Sequence, residues 1–161
     1  MGNLLEKKSV KKVDLILKKY NDNINLIELD QTARTAFDAS KSLNTEVGSI
    51  VKSLLFKDTE NNFYLCLVSG DKLVSLKKIS KIFNSKTVKA SADECKSFTG
   101  FSIGGVAPIG HENLPKSILI DKNLSRYDKI FAAAGHPYVV FGISFQDLCD
   151  ITMGRISDII D

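Results

Sequence analysis

An apolar run, Ser49-Ile-Val-Lys-Ser-Leu-Leu-Phe56, opens after Gly48 and is answered by Phe63-Tyr-Leu-Cys-Leu-Val68 across the polar stretch Lys57-Asp-Thr-Glu-Asn-Asn62. Runs this short, bounded by turn residues, read as a buried strand and its hairpin partner. Lys52 stands in the middle of the first run and shares a strand face with Ile50 and Leu54, because alternate residues face opposite sides. A lysine buried there needs an anionic or strongly polar partner. A lysine at a strand edge instead lays its stem on apolar surface and reaches water.

The elements around this hairpin come in irregular order. Residues 4–20 place Leu5, Val10, Val13, Ile16, Leu17 and Tyr20 at helical spacing, and Asn21-Asp22-Asn23 ends that helix. Ile24 to Leu29 reads as a short strand. Asp30 is placed to cap a second helix through Ala33, Ala36, Phe37 and Ala39. After Gly70-Asp71 a third helix turns Leu73, Leu76, Ile79 and Phe83 inward. Ser91 with Glu94 forms a capping box, since each side chain meets an amide the other's turn leaves open, and Gly100 stops the helix. Strands follow at 117–120, 129–134 and 138–143. Ser144 with Asp147 starts a last helix closed by Gly154, and 155–160 adds an edge strand. The expectation is an α+β fold, one domain over residues 1–161, with helices around a mixed, strongly curved or partly closed sheet.

Composition narrows the function classes. At 161 residues the chain can bury a core without staples. Cys66, Cys95 and Cys149 are scattered with no CxxC pair, which argues against a disulfide framework and a zinc site and fits a reducing cytoplasm. His111 and His136 are the only imidazoles, too few for a histidine-rich metal centre. The opening MGNLLEKKSVKKVDLILKKY lacks the apolar core of a signal peptide, and Glu6 breaks the myristoylation pattern. No run reaches membrane-spanning length, so a cytoplasmic protein with no membrane partner is expected. The net charge of +3 is small, but Lys7, Lys8, Lys11, Lys12, Lys18 and Lys19, and again Lys72, Lys77, Lys78, Lys81, Lys86 and Lys89, are clustered. Such clusters are either solvated helix faces or phosphate contacts.

Familiar catalytic devices are missing. There is no GxSxG elbow, no GxxxxGK[ST] loop and no HExxH, and Gly100–Gly105 lacks dinucleotide-site spacing. Cys66 sits in an apolar strand as a small hydrophobe. Two stretches remain besides Lys52. Gly104-Gly-Val-Ala-Pro-Ile-Gly-His111 sets three glycines around a proline, a rigid backbone that either turns a tight loop or offers amides to a ligand oxygen. Ala132-Ala-Ala-Gly-His-Pro137 is a run of small residues before a fixed turn, which lets another chain or a ligand come close, with His136 either positioning it or simply hydrogen-bonded.

In order, Thr32–Ser40, Ile50–Phe56, Lys72-Leu-Val74, Ala92–Phe101, Gly104–His111, Ile120-Asp121, Ala133–Pro137 and Ser144–Leu148 resemble the YbaK/prolyl-tRNA-synthetase-associated editing family; residues 1–30 resemble its leading helix and strand only loosely. The resemblance implies a hydrolase that removes mischarged amino acids from tRNA in trans, without a cofactor or metal. Lys52 matches the family's essential strand lysine, Gly104 and Pro108 its GxxxP element, and Gly135 and His136 the loop that closes over the substrate. The expected catalytic set is therefore Lys52, Gly104 and Gly105. Ser53, Val106, Ala107, Pro108, Ile109, Gly110, His111, Gly135 and His136 are expected around the substrate, and Lys72, Lys77, Lys78 and Lys81 on tRNA. The implied partner is the acceptor end of mischarged tRNA, with a synthetase or an elongation factor as a further one. Ala107 stands where many relatives have serine or proline, and Ser53 occupies a position that differs between subfamilies, so the amino acid is left open, with alanine or serine expected. The competing readings are a non-catalytic tRNA- or synthetase-binding module and a thiol hydrolase acting through Cys149 or Cys95.

Overall fold

The computed structural model describes residues 3–30 and 34–161. Its helices are α1 (Lys8–Tyr20), α2 (Ala36–Leu43), α3 (Leu76–Phe83), α4 (Ala92–Thr99) and α5 (Phe145–Thr152). Its strands are β1 (Leu26–Glu28), β2 (Val51–Lys57), β3 (Phe63–Ser69), β4 (Val88–Lys89), β5 (Ser117–Asp121), β6 (Ile130–His136), β7 (Val139–Ile143) and β8 (Arg155–Ser157). The α+β expectation holds. The strands divide between two open sheets, an antiparallel one ordered β1-β7-β6 and a mixed one ordered β4-β2-β3-β5-β8. A parallel bridge, Ile50 to Phe131, joins them just before β2 begins.

The non-alternating run in β3 is explained by burial on both faces. Leu65 and Leu67 enter the larger core with Val10, Val13 and Leu17 of α1, Phe141 and Leu148, whereas Cys66 and Val68 enter a smaller core with Phe56, Ile79, Leu119 and Ile159. Val10, Val13 and Leu17 are wholly excluded from solvent, and side chains of that size stabilise by about 1.5–3 kcal/mol each when fully buried.

Local signals set most helix ends. The Ser91–Glu94 capping box is present, Gly100 closes α4 at φ +84°, and Ser144 Oγ accepts from Asp147 N–H at 3.0 Å. Several ends differ from the sequence expectation: α1 starts only at Lys8, after a separate turn at Leu4–Glu6, and Met153 rather than Gly154 takes the left-handed position that ends α5. Thr35 caps α2, its Oγ1 accepting from Asp38 N–H at 3.0 Å, while Ala33 of the expected helix lies outside the described residues. Helix α3 begins only after Ser75, whose hydroxyl accepts from Lys78 N–H. That start leaves Leu73 in the connection, 71% exposed, and Leu76 on the outer side of the first turn, while Ile79 is buried. No described helix is long and apolar enough to cross a membrane.

Helix α1 lies against the turn between β6 and β7. Gly135 has φ +90°, and a Cβ there would stand 2.7 Å from the Ser9 carbonyl oxygen. The Ser9 hydroxyl also donates to the Gly135 carbonyl at 2.9 Å. Positive φ costs an L-residue roughly 1–2 kcal/mol, and here two backbones would also have to part. Gly135→Ala is expected to lower the unfolding free energy by at least about 2 kcal/mol in urea titration. An unchanged midpoint would contradict this seating of α1.

Candidate functional site

After the Ile50–Phe131 bridge the two sheets part, and a cleft of about 450 Å³ opens in the gap. Residues 50–55 of β2 and its approach form one wall, with Phe131, Ala132 and Ala133 of β6 and Val140 of β7 opposite. Ala90 and Cys95 line it from the β4–α4 side, and Ile103, Gly104 and Val106 from the glycine-rich loop. The start of α2 contributes Arg34, Thr35 and Phe37. Phe37 and Ile103 are 60% and 52% exposed, so they form the mouth. The interior is apolar. The charged side chains lining the cleft among the described residues are Arg34, Lys52 and Lys89, all cationic, and no carboxylate joins them.

Lys52 is half-buried, and its ammonium donates to the Lys72 carbonyl oxygen. Among the described residues no carboxylate lies within ion-pair distance of it. Asp71, whose field favours the Lys52 ammonium, is held by Arg126 through contacts of 2.8 and 3.2 Å. Arg126 also donates to Ser69 Oγ at 2.8 Å, and Ser69 N–H donates to the fully buried Asp121 carboxylate at 3.1 Å. The guanidinium holds the Asp71 carboxyl below the ordinary carboxylate range. Burial pushes the Lys52 ammonium below its ordinary value, and Lys89 pushes the same way, against the fields of Asp71 and Asp121.

The glycine-rich stretch divides into two parts. Gly104 and Val106 line the cleft. The Gly105 N–H, expected to face the substrate, donates instead to Ser102 O at 2.9 Å and closes a turn. The Gly104 and Val106 amides donate to no acceptor among the described residues. Gly105 must be small for another reason: a Cβ there would lie 2.9 Å from the His136 backbone. Ala107, Pro108 and Ile109 turn into the protein and do not line the cleft; Ala107 and Ile109 belong to the larger core. Gly110 lies against Ile16 and Phe101. His111 is tied to the Ala107 carbonyl at 2.7 Å through Nε2, and burial lowers its pKa. Nδ1 of His136 accepts from Tyr138 N–H at 3.1 Å, and burial lowers its pKa as well. Gly135 and His136 thus stand behind the Gly104–Gly105 wall, with Gly135 packed on α1.

Ser53 lines the cleft, and its buried Oγ finds no partner among the described residues. A hydroxyl buried without a partner costs about 1–3 kcal/mol, and this one faces the cleft. The thiols do not offer a nucleophile. Burial pushes Cys66 up to about 12 and raises Cys95 and Cys149 too, and of the three only Cys95 lines the cleft.

The lysines expected on tRNA separate. Lys72 is half-buried beside Lys52, and Lys77 and Lys81 are exposed on α3. Lys78 pairs with Asp158 at 3.1 Å and donates to Ile160 O at 2.7 Å, which ties α3 to the C-terminal segment. Sequence reasoning missed Lys89, Phe37 and Cys95 as cleft residues. Only the two-residue β4 brings Lys89 there, and so short a strand leaves almost no pattern in a sequence.

The aminoacyl-tRNA editing domain family model matches residues 30–151. The chain is 25% identical over 148 residues to the uncharacterized protein YwhH of Bacillus subtilis, covering 92% of this chain and 94% of that one. It is 30% identical over 103 residues to a proline–tRNA ligase of Thermosipho africanus, covering 63% of this chain and 18% of the ligase. A crystal structure described as a candidate trans-editing enzyme for prolyl tRNA synthetase superposes with a TM-score of 0.88 at 32% identity, covering 96% of this chain and 98% of that one. With the family model spanning most of its length and the fold shared end to end with that structure, the chain belongs to the aminoacyl-tRNA editing domain family.

Proposed function

We propose that residues 1–161 act as one editing domain that hydrolyses, in trans, the ester joining a small misattached amino acid to tRNA. The observation that carries this reading is the charge of the cleft: an apolar interior with three cationic side chains and no carboxylate among the described residues. That surface suits a ligand with a small apolar head and a polyanionic tail, such as the acceptor end of a charged tRNA. Family membership and the likeness to a candidate trans-editing enzyme support the same class.

An aminoacyl ester is already activated, so its hydrolysis asks for a placed water and stabilisation of the oxyanion. Water adds to the carbonyl carbon, the bond to the ribose oxygen breaks, and free amino acid and tRNA leave. The Gly104 and Val106 amides take the developing oxyanion, and such donors are worth about 100- to 1,000-fold each in comparable sites. Lys52 engages the terminal ribose or phosphate and offsets negative charge. Neither histidine is placed as a base, since among the described residues neither lines the cleft and both are tied to the main chain. The substrate's own 2′-hydroxyl then assists the water. Ser53, Val106, Ala132 and Val140 bound the space for the amino-acid side chain, and one methylene changes binding there by about 1–3 kcal/mol. Alanine or serine is therefore removed in preference to larger residues, with modest promiscuity. Lys72, Lys77 and Lys81 hold the acceptor stem non-specifically, and a synthetase or an elongation factor presents the charged tRNA.

Deacylation of a panel of charged tRNAs tests the reading. Alanyl- and seryl-tRNA are expected to be cleaved, Lys52→Ala to reduce the rate at least about 100-fold, and Cys66→Ser to keep most of it. Protection of every ester would identify a binding module, and a preference for phenylalanyl-tRNA would defeat the steric argument.

The Lys52 ammonium gives a second test. Its pKa lies below the ordinary 10.5 because burial disfavours the charge. Raising the pH therefore strips this proton before those of exposed lysines, and the ε-carbon NMR titration of Lys52 should have its midpoint below 10.5. Asp71→Asn removes a field that favours the ammonium and should move that midpoint lower still. A midpoint at or above the ordinary value would show that the amine is not held in the cleft wall.

A further inference from the structure

We propose that the exposed edge of β2 at Ser53 is the receptor for the free α-amino group and carbonyl of the amino acid, a main-chain docking site inside the cleft. This rests on the editing function proposed above and specifies how the acyl group is held. In an antiparallel ladder, alternate residues direct both N–H and C=O to the same neighbour. The Leu55 carbonyl accepts from Ala90 N–H at 3.0 Å, on the β4 side. Ser53, two residues earlier, therefore turns its N–H and C=O to that side too, away from β3. Among the described residues no strand pairs with them there. Strand β4 pairs with Phe56 and Lys57, and the backbone bridge from β6 to this part of the chain is at Ile50. The gap between those two contacts is the cleft. The buried Oγ of the same residue has no hydrogen-bond partner among the described residues and lies at the same edge, a second polar group there with bonding capacity to spare.

The ligand must therefore present a donor and an acceptor at the spacing of one residue of an extended chain. An aminoacyl group is one such residue. Its ammonium meets the Ser53 C=O and its carbonyl the Ser53 N–H, as two strands exchange hydrogen bonds across a narrow pair, and Ser53 Oγ adds a third contact. A phosphate offers no donor to the carbonyl, and an apolar molecule satisfies none of the three groups. The edge thus reads the part common to all amino acids, and the apolar wall reads the side chain.

The experiment uses the whole chain and two stable probes, 3′-(L-alanylamino)-3′-deoxyadenosine, in which an amide replaces the ester, and its 3′-propionylamino counterpart, which lacks the amino group. Isothermal titration should show the propionyl compound binding at least tenfold more weakly, and the Ser53 amide NMR signal should shift only with the alanyl compound. Ser53→Ala should weaken alanyl binding at least threefold while leaving the melting temperature unchanged or higher, since it removes an orphan hydroxyl. Equal affinity for the two probes, or an unmoved Ser53 amide at saturation, overturns the proposal. If the probes behave as expected while alanyl-tRNA survives incubation with the protein, the docking edge stands and the hydrolytic reading falls.

Discussion

The site depends on the parting of two sheets. Strand β6 meets the chain entering β2 at Ile50–Phe131, and β4 rejoins β2 only at Phe56 and Lys57. Continued pairing would have filled the gap with hydrogen bonds and closed the structure. Between those points a main-chain edge is left inside the protein, where unpaired polar groups are normally not tolerated. The fold accepts that arrangement because β3 satisfies the other edge of β2 over its full length, with seven residue pairs in register. The cleft is therefore a property of the topology, held by a well-paired hairpin on one side and by α1 and the β6–β7 turn on the other.

Charge around the cleft follows from one pairing choice. Arg126 takes Asp71, and Asp121 accepts hydrogen bonds from Ser69 N–H and from Asn123 at 2.7 and 2.9 Å. Both acids are thus committed within the structure. Lys52 is left with a carbonyl partner, which satisfies one of its three donors without neutralising it. A full ion pair at this position would have made the lysine structural. The arrangement keeps an ammonium at the cleft wall with capacity for a ligand, at the cost of a lowered pKa.

Short-range signals were legible in the sequence, and convergent ones were not. The capping box at Ser91, the cap at Ser144 and the hairpin from Ser49 to Val68 are fixed by residues within a few positions of one another. Lys52 stood out because a charge interrupts an apolar run. The glycine-rich loop was legible as a rigid backbone, but which of its residues line the cleft was not: a loop has no period, and the Gly105 N–H is spent on Ser102 while Gly104 and Val106 reach the gap. Pro108 and Ile109 are apolar like a pocket wall, and apolarity alone does not tell a pocket from a core. Phe37 and Lys89 reach the cleft through tertiary placement, which no window along the chain reveals. Leu73 was expected inward, but the Ser75 cap sets a start for α3 that leaves it outside.

The shortage of acid–base groups is itself informative. A site that must break a stable amide needs a nucleophile and a base with matched pKa values. Here burial raises every thiol away from the thiolate form, and among the described residues neither imidazole lines the cleft. What the cleft does hold is oriented: main-chain amides, a strand edge, a hydroxyl without a partner and ammonium groups, all on rigid elements. Oriented dipoles in an apolar gap stabilise charge without reorganising, and that suits a bond already close to breaking.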